Sequence, residues 1–106
     1  MSHYSLTPAQ AERLEMLAEE AGEVVQAVTK ILRHGFDSSD PTQHFYRTNR
    51  THLAEELQEL NVVHDEMIAC GDLFTGTTRP NSEVWRRKLA YTHHQGFDHG
   101  IPRSYI

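Results

Sequence analysis

From Leu14 to Leu32 the chain places an apolar side chain every three or four residues: Leu14, Leu17, Ala18, Ala21, Val24, Val25, Val28, Ile31 and Leu32. That is helical spacing, sustained over about five turns. Thr7-Pro8-Ala9-Gln10 marks the start. Thr7 can cap, Pro8 suits the first helical position, and Gln10 can complete a capping box. Gly35 after His34 is a stop signal. The stretch FDSSDPTQHFYRTNR then reads as a loop. A second long helix is predicted from Asn49 or Thr51, with Leu53, Leu57, Leu60, Val63 or His64, Met67 and Ile68 as its stripe and Gly71 as its end. A third opens at Pro80-Asn81-Ser82, with Asn81 or Ser82 as cap, and runs to about His94. The tail from about residue 95 has no clear period and is expected to be loosely ordered. No segment reads as a strand.

The expected fold is therefore all-α: two long helices plus shorter ones in a single domain, residues 1–106. Two antiparallel helices cannot bury much surface alone. A four-helix arrangement, completed within the chain or by a second copy, satisfies the apolar stripes. A homo-oligomer is the expectation.

Composition removes several classes of function. The 106 residues suit one core. No apolar run approaches the roughly 20 residues that span a bilayer, so no membrane role is expected. The opening MSHYSLTPAQ lacks the basic and apolar regions of a signal peptide. One cysteine, Cys70, cannot form an internal disulfide, which agrees with a reducing cytoplasm. The net charge of −5 gives no general affinity for nucleic acid. An anionic ligand would need cations to bridge the repulsion.

The acidic residues are distributed in a pattern. LAEEAGE, Leu17 to Glu23, and LAEELQE, Leu53 to Glu59, repeat one arrangement on the two long helices. Residues three apart on a helix are neighbours, so Glu20 and Glu23 point the same way, as do Glu56 and Glu59. Both pairs flank their apolar stripes, with Glu20 and Glu56 closest to them. If the stripes pack together, four carboxylates converge. Unneutralised, they repel strongly in a low-dielectric setting. Either their pKa values rise or a cation binds. Oxygen-only ligands favour Mg²⁺ or Mn²⁺. A single Glu-rich helix more commonly just faces solvent. Two copies, each flanking a core stripe, favour the metal reading. A di-iron bundle would need Glu-x-x-His pairs, and no histidine here has a Glu three residues before it.

These residues resemble the MazG-type all-α nucleoside triphosphate pyrophosphohydrolase superfamily, whose pattern is Glu-Glu-x-x-Glu on one helix and Glu-x-x-Asp on the next. EEAGE, Glu19 to Glu23, matches the first half. In EELQE, Glu56 matches, and Glu59 stands where Asp is usual, keeping the charge but adding a methylene. KILRHG, Lys30 to Gly35, resembles the end of the first motif helix in small members. The resemblance covers roughly residues 10 to 95. It implies hydrolysis of a nucleoside triphosphate to the monophosphate and pyrophosphate, as house-cleaning of the nucleotide pool. It implies Mg²⁺ held by Glu20, Glu23, Glu56 and Glu59. Glu19 would help hold a further ion or orient the attacking water. Homodimers or homotetramers are the family's usual state.

Further substrate contacts are expected from Lys30, two turns after Glu23, and from Asn61, two residues past Glu59. Lys30 can equally pair with a glutamate near the helix end. In the resembled family basic residues after the second motif contact phosphates, which points to Lys88 and then Arg87. Tyr91 can line a base pocket or simply pack. Trp85 and His64 are assigned to the core, while Asp65 and Glu66 face solvent. His93, His94 and His99 lack standard zinc spacing. A non-enzymatic alternative remains: a helical oligomerisation or partner-binding module with acidic faces, which would tolerate Glu20→Gln.

Overall fold

The computed structural model describes residues 5–42, 47–75, 79–95, 97–98 and 101–102. The chain divides into two compact units, Met1–Leu73 and Phe74–Ile106.

In the first unit, α1 (Pro8–His34) and α2 (Asn49–Ala69) pack against each other. The capping box at the start of α1 is complete: Thr7 Oγ1 accepts from the Gln10 N–H at 3.1 Å, and Gln10 Oε1 accepts from the Thr7 N–H at 2.9 Å. Two of the amides that this helix start leaves unpaired are thereby satisfied, and Pro8 has none to satisfy. Gly35, at φ 86°, ends α1 in a conformation that a side chain would strain. Thr48 caps α2 by accepting from the Thr51 N–H at 3.2 Å. The helix ends at Ala69, Cys70 follows as its cap, and Gly71 turns the chain at φ 83°.

The α1 stripe separates into two faces. Leu17, Glu20, Val24, Ala27 and Ile31 are buried or half-buried, as are Leu53, Glu56, Leu60, Val63 and Met67 on α2. Both sets alternate by three and four residues, the spacing of packed helical seams. Ala27 and Met67, at 0% and 2% exposure, are the centre of the core. The second α1 face, Leu14, Ala18, Ala21, Val25, Val28 and Leu32, is exposed along its whole length. Leu57, expected on the α2 stripe, is also exposed. Arg13 fastens the start of α1 to the turn after α2: its Nε donates to Asp72 Oδ2 at 2.6 Å and its Nη2 to Asp72 Oδ1 at 3.1 Å.

Residues 35–39, just after α1, are strapped to the start of α2. The Asn49 N–H donates to Ser38 O and the Arg50 N–H to Phe36 O, both at 2.8 Å. Ser39 and Thr48 form an antiparallel bridge. Asn49 Nδ2 donates to Gly35 O at 3.1 Å. The Arg50 guanidinium lies 4.4 Å from the centre of the Phe36 ring, the distance of a cation–π contact.

In the second unit α3 spans Asn81–Leu89, shorter than the helix to His94 that the sequence suggests. Pro80 is its cap, and Asn81 and Ser82 are its first two residues. Tyr91 and Thr92 N–H groups bond to the carbonyls of Lys88 and Leu89, three residues back, so the helix tightens and stops. Trp85 is half-buried. The tail contains a short antiparallel pair where no strand is expected: β1 (Phe97–Asp98) with β2 (Ile101–Pro102), Phe97 opposite Pro102. The rest of the tail, and with it the expectation of loose order there, lies outside the described residues. The described part of the chain is thus predominantly helical. Among the described residues no helix is long and apolar enough to cross a membrane.

Candidate metal centre

Glu20 and Glu56 occupy places in the two packed seams that the apolar spacing would otherwise give to hydrophobic residues. Glu23 and Glu59 follow one turn later on the same helices. The helix pair therefore brings all four together: one carboxylate oxygen from each lies within 4.8 Å of the other three. Glu56 is buried at 8% exposure, Glu20 and Glu23 are half-buried, and Glu59 is exposed. The set runs from the helix seam out to solvent.

Electrostatics follow from this crowding. Burial, reinforced by a hydrogen bond with Glu59 and by the charges of Glu59, Glu23 and Glu56, pushes Glu20 up to about 7. Glu23 is raised by its hydrogen bond with Glu56 and by that group's charge, with burial adding to both and His52 opposing them. Carboxylates this close cannot all carry charge unaided. Glu20 Oε2 and Glu56 Oε2 are buried with no hydrogen-bond partner. Buried polar atoms normally have one, so these two oxygens call for a ligand. An all-oxygen set with two orphaned oxygens fits a hard divalent cation.

A neighbour supports the set. His52 Nε2 lies 3.3 Å from Glu56 Oε1, one turn away on α2, and both side chains are largely buried. The other Glu56 oxygen, Oε2, is buried without a partner. His52 was legible only as one of eight histidines. The His-x-x-x-Glu spacing was the available signal, because it places both on one helix face.

The other predicted residues divide. Glu19 is exposed on α1 beside Glu20 and lies outside the converging set. Asn61 is exposed on α2 and lies outside the converging set. Lys30 lines a cavity of about 410 Å³ at the end of α1. Arg87, Lys88 and Tyr91 come together in the second unit, where with Arg79 and Val84 they line a groove of about 320 Å³. His64, assigned to the core by its place on the stripe, is instead exposed, with Nδ1 3.3 Å from Asp65 Oδ1. Asp65 and Glu66 face solvent as expected. His93 and His94 meet edge to face at 6.3 Å, and His99 lies outside the described residues.

The chain matches no family model, no curated protein and no solved structure.

Proposed function

We propose that the chain is a Mg²⁺-dependent nucleoside triphosphate pyrophosphohydrolase of the MazG-like kind. The observation that carries this reading is the convergence of Glu20, Glu23, Glu56 and Glu59 with two buried, unpartnered oxygens among them. In this reading those four carboxylates hold the cation, Mg²⁺ or alternatively Mn²⁺. The bound ion supplies charge neutralisation on the triphosphate and a more acidic water.

The chain's own part is positioning and electrostatics, as is general for phosphoryl chemistry. Glu56 anchors the set from the seam, with His52 fixing one of its oxygens. Glu20 and Glu23 present carboxylates from the facing helix. Glu59 closes the set on the solvent side, its longer side chain taking the place of the family's usual Asp. Water oxygen bonds to the α phosphorus, the bond to the α–β bridging oxygen breaks, and pyrophosphate leaves with that electron pair. The displaced proton passes to solvent, with Glu19 orienting the water. Glu19→Gln is then expected to lower turnover while metal affinity stays unchanged.

The exposed face Leu14, Ala18, Ala21, Val25, Val28 and Leu32 supports assembly as a homodimer or homotetramer. Its seven-residue period is what a second helix needs for packing. The same face favours a second reading, a non-catalytic helical oligomerisation module.

Product analysis separates the two. The protein is incubated with Mg²⁺ and each canonical NTP and dNTP. Monophosphate plus pyrophosphate, lost in Glu20→Gln, is the expected result. Absence of turnover with every nucleotide, or turnover unaffected by Glu20→Gln, favours the module.

A further inference from the structure

A second built feature adjoins the four carboxylates. The cavity of about 410 Å³ is walled by Lys30 and His34 from the end of α1, Ser38 and Ser39 from the following loop, and Arg47 and His52 from the entry to α2. Its walls are fixed by the Ser39–Thr48 bridge and by the bonds from Asn49 and Arg50 to Ser38 and Phe36. His52 belongs to both sites: it lines the cavity and stands 3.3 Å from Glu56. The cavity therefore opens beside the candidate metal centre within one unit.

Its chemistry is opposite to that of the centre and to the net charge of −5. Lys30 and Arg47 bring basic side chains to the cavity. Among the described residues Lys30 makes no ion pair within 4 Å, and Arg47 commits Nη1 to Glu55 at 2.8 Å. That leaves further guanidinium donors to a ligand. Two serine hydroxyls add neutral donors. The one carboxylate among the described lining residues, Asp40, is held below its ordinary range first by hydrogen bonds from Thr42 and then by the charge of Lys30. Its Oδ1 accepts from the Thr42 N–H at 2.9 Å and from Thr42 Oγ1 at 2.7 Å. The α2 amides of Asn49, Arg50 and Thr51 already bond to Ser38 O, Phe36 O and Thr48 Oγ1. Anion recognition here falls to side chains and not to the helix end.

We propose that this cavity holds the terminal phosphates of the substrate, the portion that departs as pyrophosphate. The inference rests on the four glutamates holding a cation. Cleavage at the α phosphorus beside that cation leaves a dianionic or more highly charged group on one side. Lys30 and Arg47 then receive it with charge-assisted hydrogen bonds.

Calorimetry on the full chain tests this in two steps. Mn²⁺ alone is titrated first. Inorganic pyrophosphate and, separately, thymidine are then titrated in the presence of Mg²⁺, into the unsubstituted protein, Lys30→Ala, Lys30→Arg and Ser39→Ala. The expected result is unchanged Mn²⁺ affinity in all four, pyrophosphate binding weakened about tenfold or more by Lys30→Ala, and substantial recovery in Lys30→Arg. Ser39→Ala is expected to weaken it by a smaller factor, and thymidine affinity is expected to stay constant. Mn²⁺ binding with pyrophosphate affinity indifferent to both Lys30→Ala and Ser39→Ala would overturn the cavity assignment and leave the metal reading standing. Thymidine weakened in place of pyrophosphate would overturn it too, by putting the nucleoside there. No Mn²⁺ binding by the unsubstituted protein would remove the metal reading and this inference with it.

Discussion

His52 Nε2 stands 3.3 Å from Glu56 Oε1, one helical turn away, and holds in place the most buried of the four converging carboxylates. Outer partners of this kind orient metal-binding side chains, and their loss commonly lowers metal affinity about tenfold to a hundredfold. His52→Ala is therefore expected to weaken Mn²⁺ binding by roughly tenfold while far-ultraviolet circular dichroism stays helical. Metal affinity equal to that of the unsubstituted protein would make the contact incidental.

The crowded carboxylates give the metal-free protein a signed pH dependence. Glu20 stands at about 7 in the folded chain against an ordinary 4.5, through burial first and Glu59 second. Glu23 is raised as well, chiefly by its hydrogen bond with Glu56. A raised folded value means the folded state binds the proton more tightly than the unfolded state. The resulting stability is fully present below the unfolded value and is lost as pH rises through the folded one. Thermal melts with chelator are expected to show a midpoint falling between about pH 5 and pH 8, and Mg²⁺ is expected to restore it at the upper end. Mn²⁺ affinity rises across the same window, because the ligands must give up protons. A chelated midpoint that climbs over this range contradicts the account.

Arg13 and Asp72 pair through two bonds across 59 positions of sequence, holding the start of α1 to the turn after α2. The Arg13 guanidinium keeps Asp72 below the usual carboxylate range, so this contribution is present above about pH 4 and fades as pH falls further. Asp72→Asn is expected to lower the melting midpoint by a few degrees at neutral pH, and by less in acid. An equal effect at both pH values would mean that packing and not charge sets it.

The exposed α1 face gives a separate test. Val25 is 64% exposed and Leu32 81%, yet both lie on an unbroken apolar line. Sedimentation is expected to give a dimer or tetramer for the unsubstituted chain and a smaller species for Val25→Glu combined with Leu32→Glu, with helix content retained. A monomer before substitution would leave the face without a second copy.

The helices and the four acids were legible because both depend on local spacing. Thr7, Pro8 and Gln10 announced the first cap, and Gly35 its end. Glu20, Glu23, Glu56 and Glu59 were identifiable because the three-residue step fixes a shared helical face whatever the rest of the fold does. Other features depended on the third dimension. The nine apolar residues of α1 read as one stripe, and only packing against α2 shows them as two faces. His64 looked like core on the same reasoning, but the α2 seam passes through Val63. The cavity needs the loop at Ser38 and Ser39 to bridge back to Thr48, and no local pattern announces that. Arg13 and Asp72 gave no signal, since nothing nearby in sequence links them.

The central claim is that four glutamates from two helices form one cation site. Direct Mn²⁺ binding measures it most simply, followed by electron paramagnetic resonance on the unsubstituted protein, Glu20→Gln and Glu56→Gln, with Mg²⁺ as competitor. Saturable binding displaced by Mg²⁺ and lost in both variants, with their helix content intact, is the predicted result. Absence of saturable binding, or binding that survives both substitutions, would contradict it.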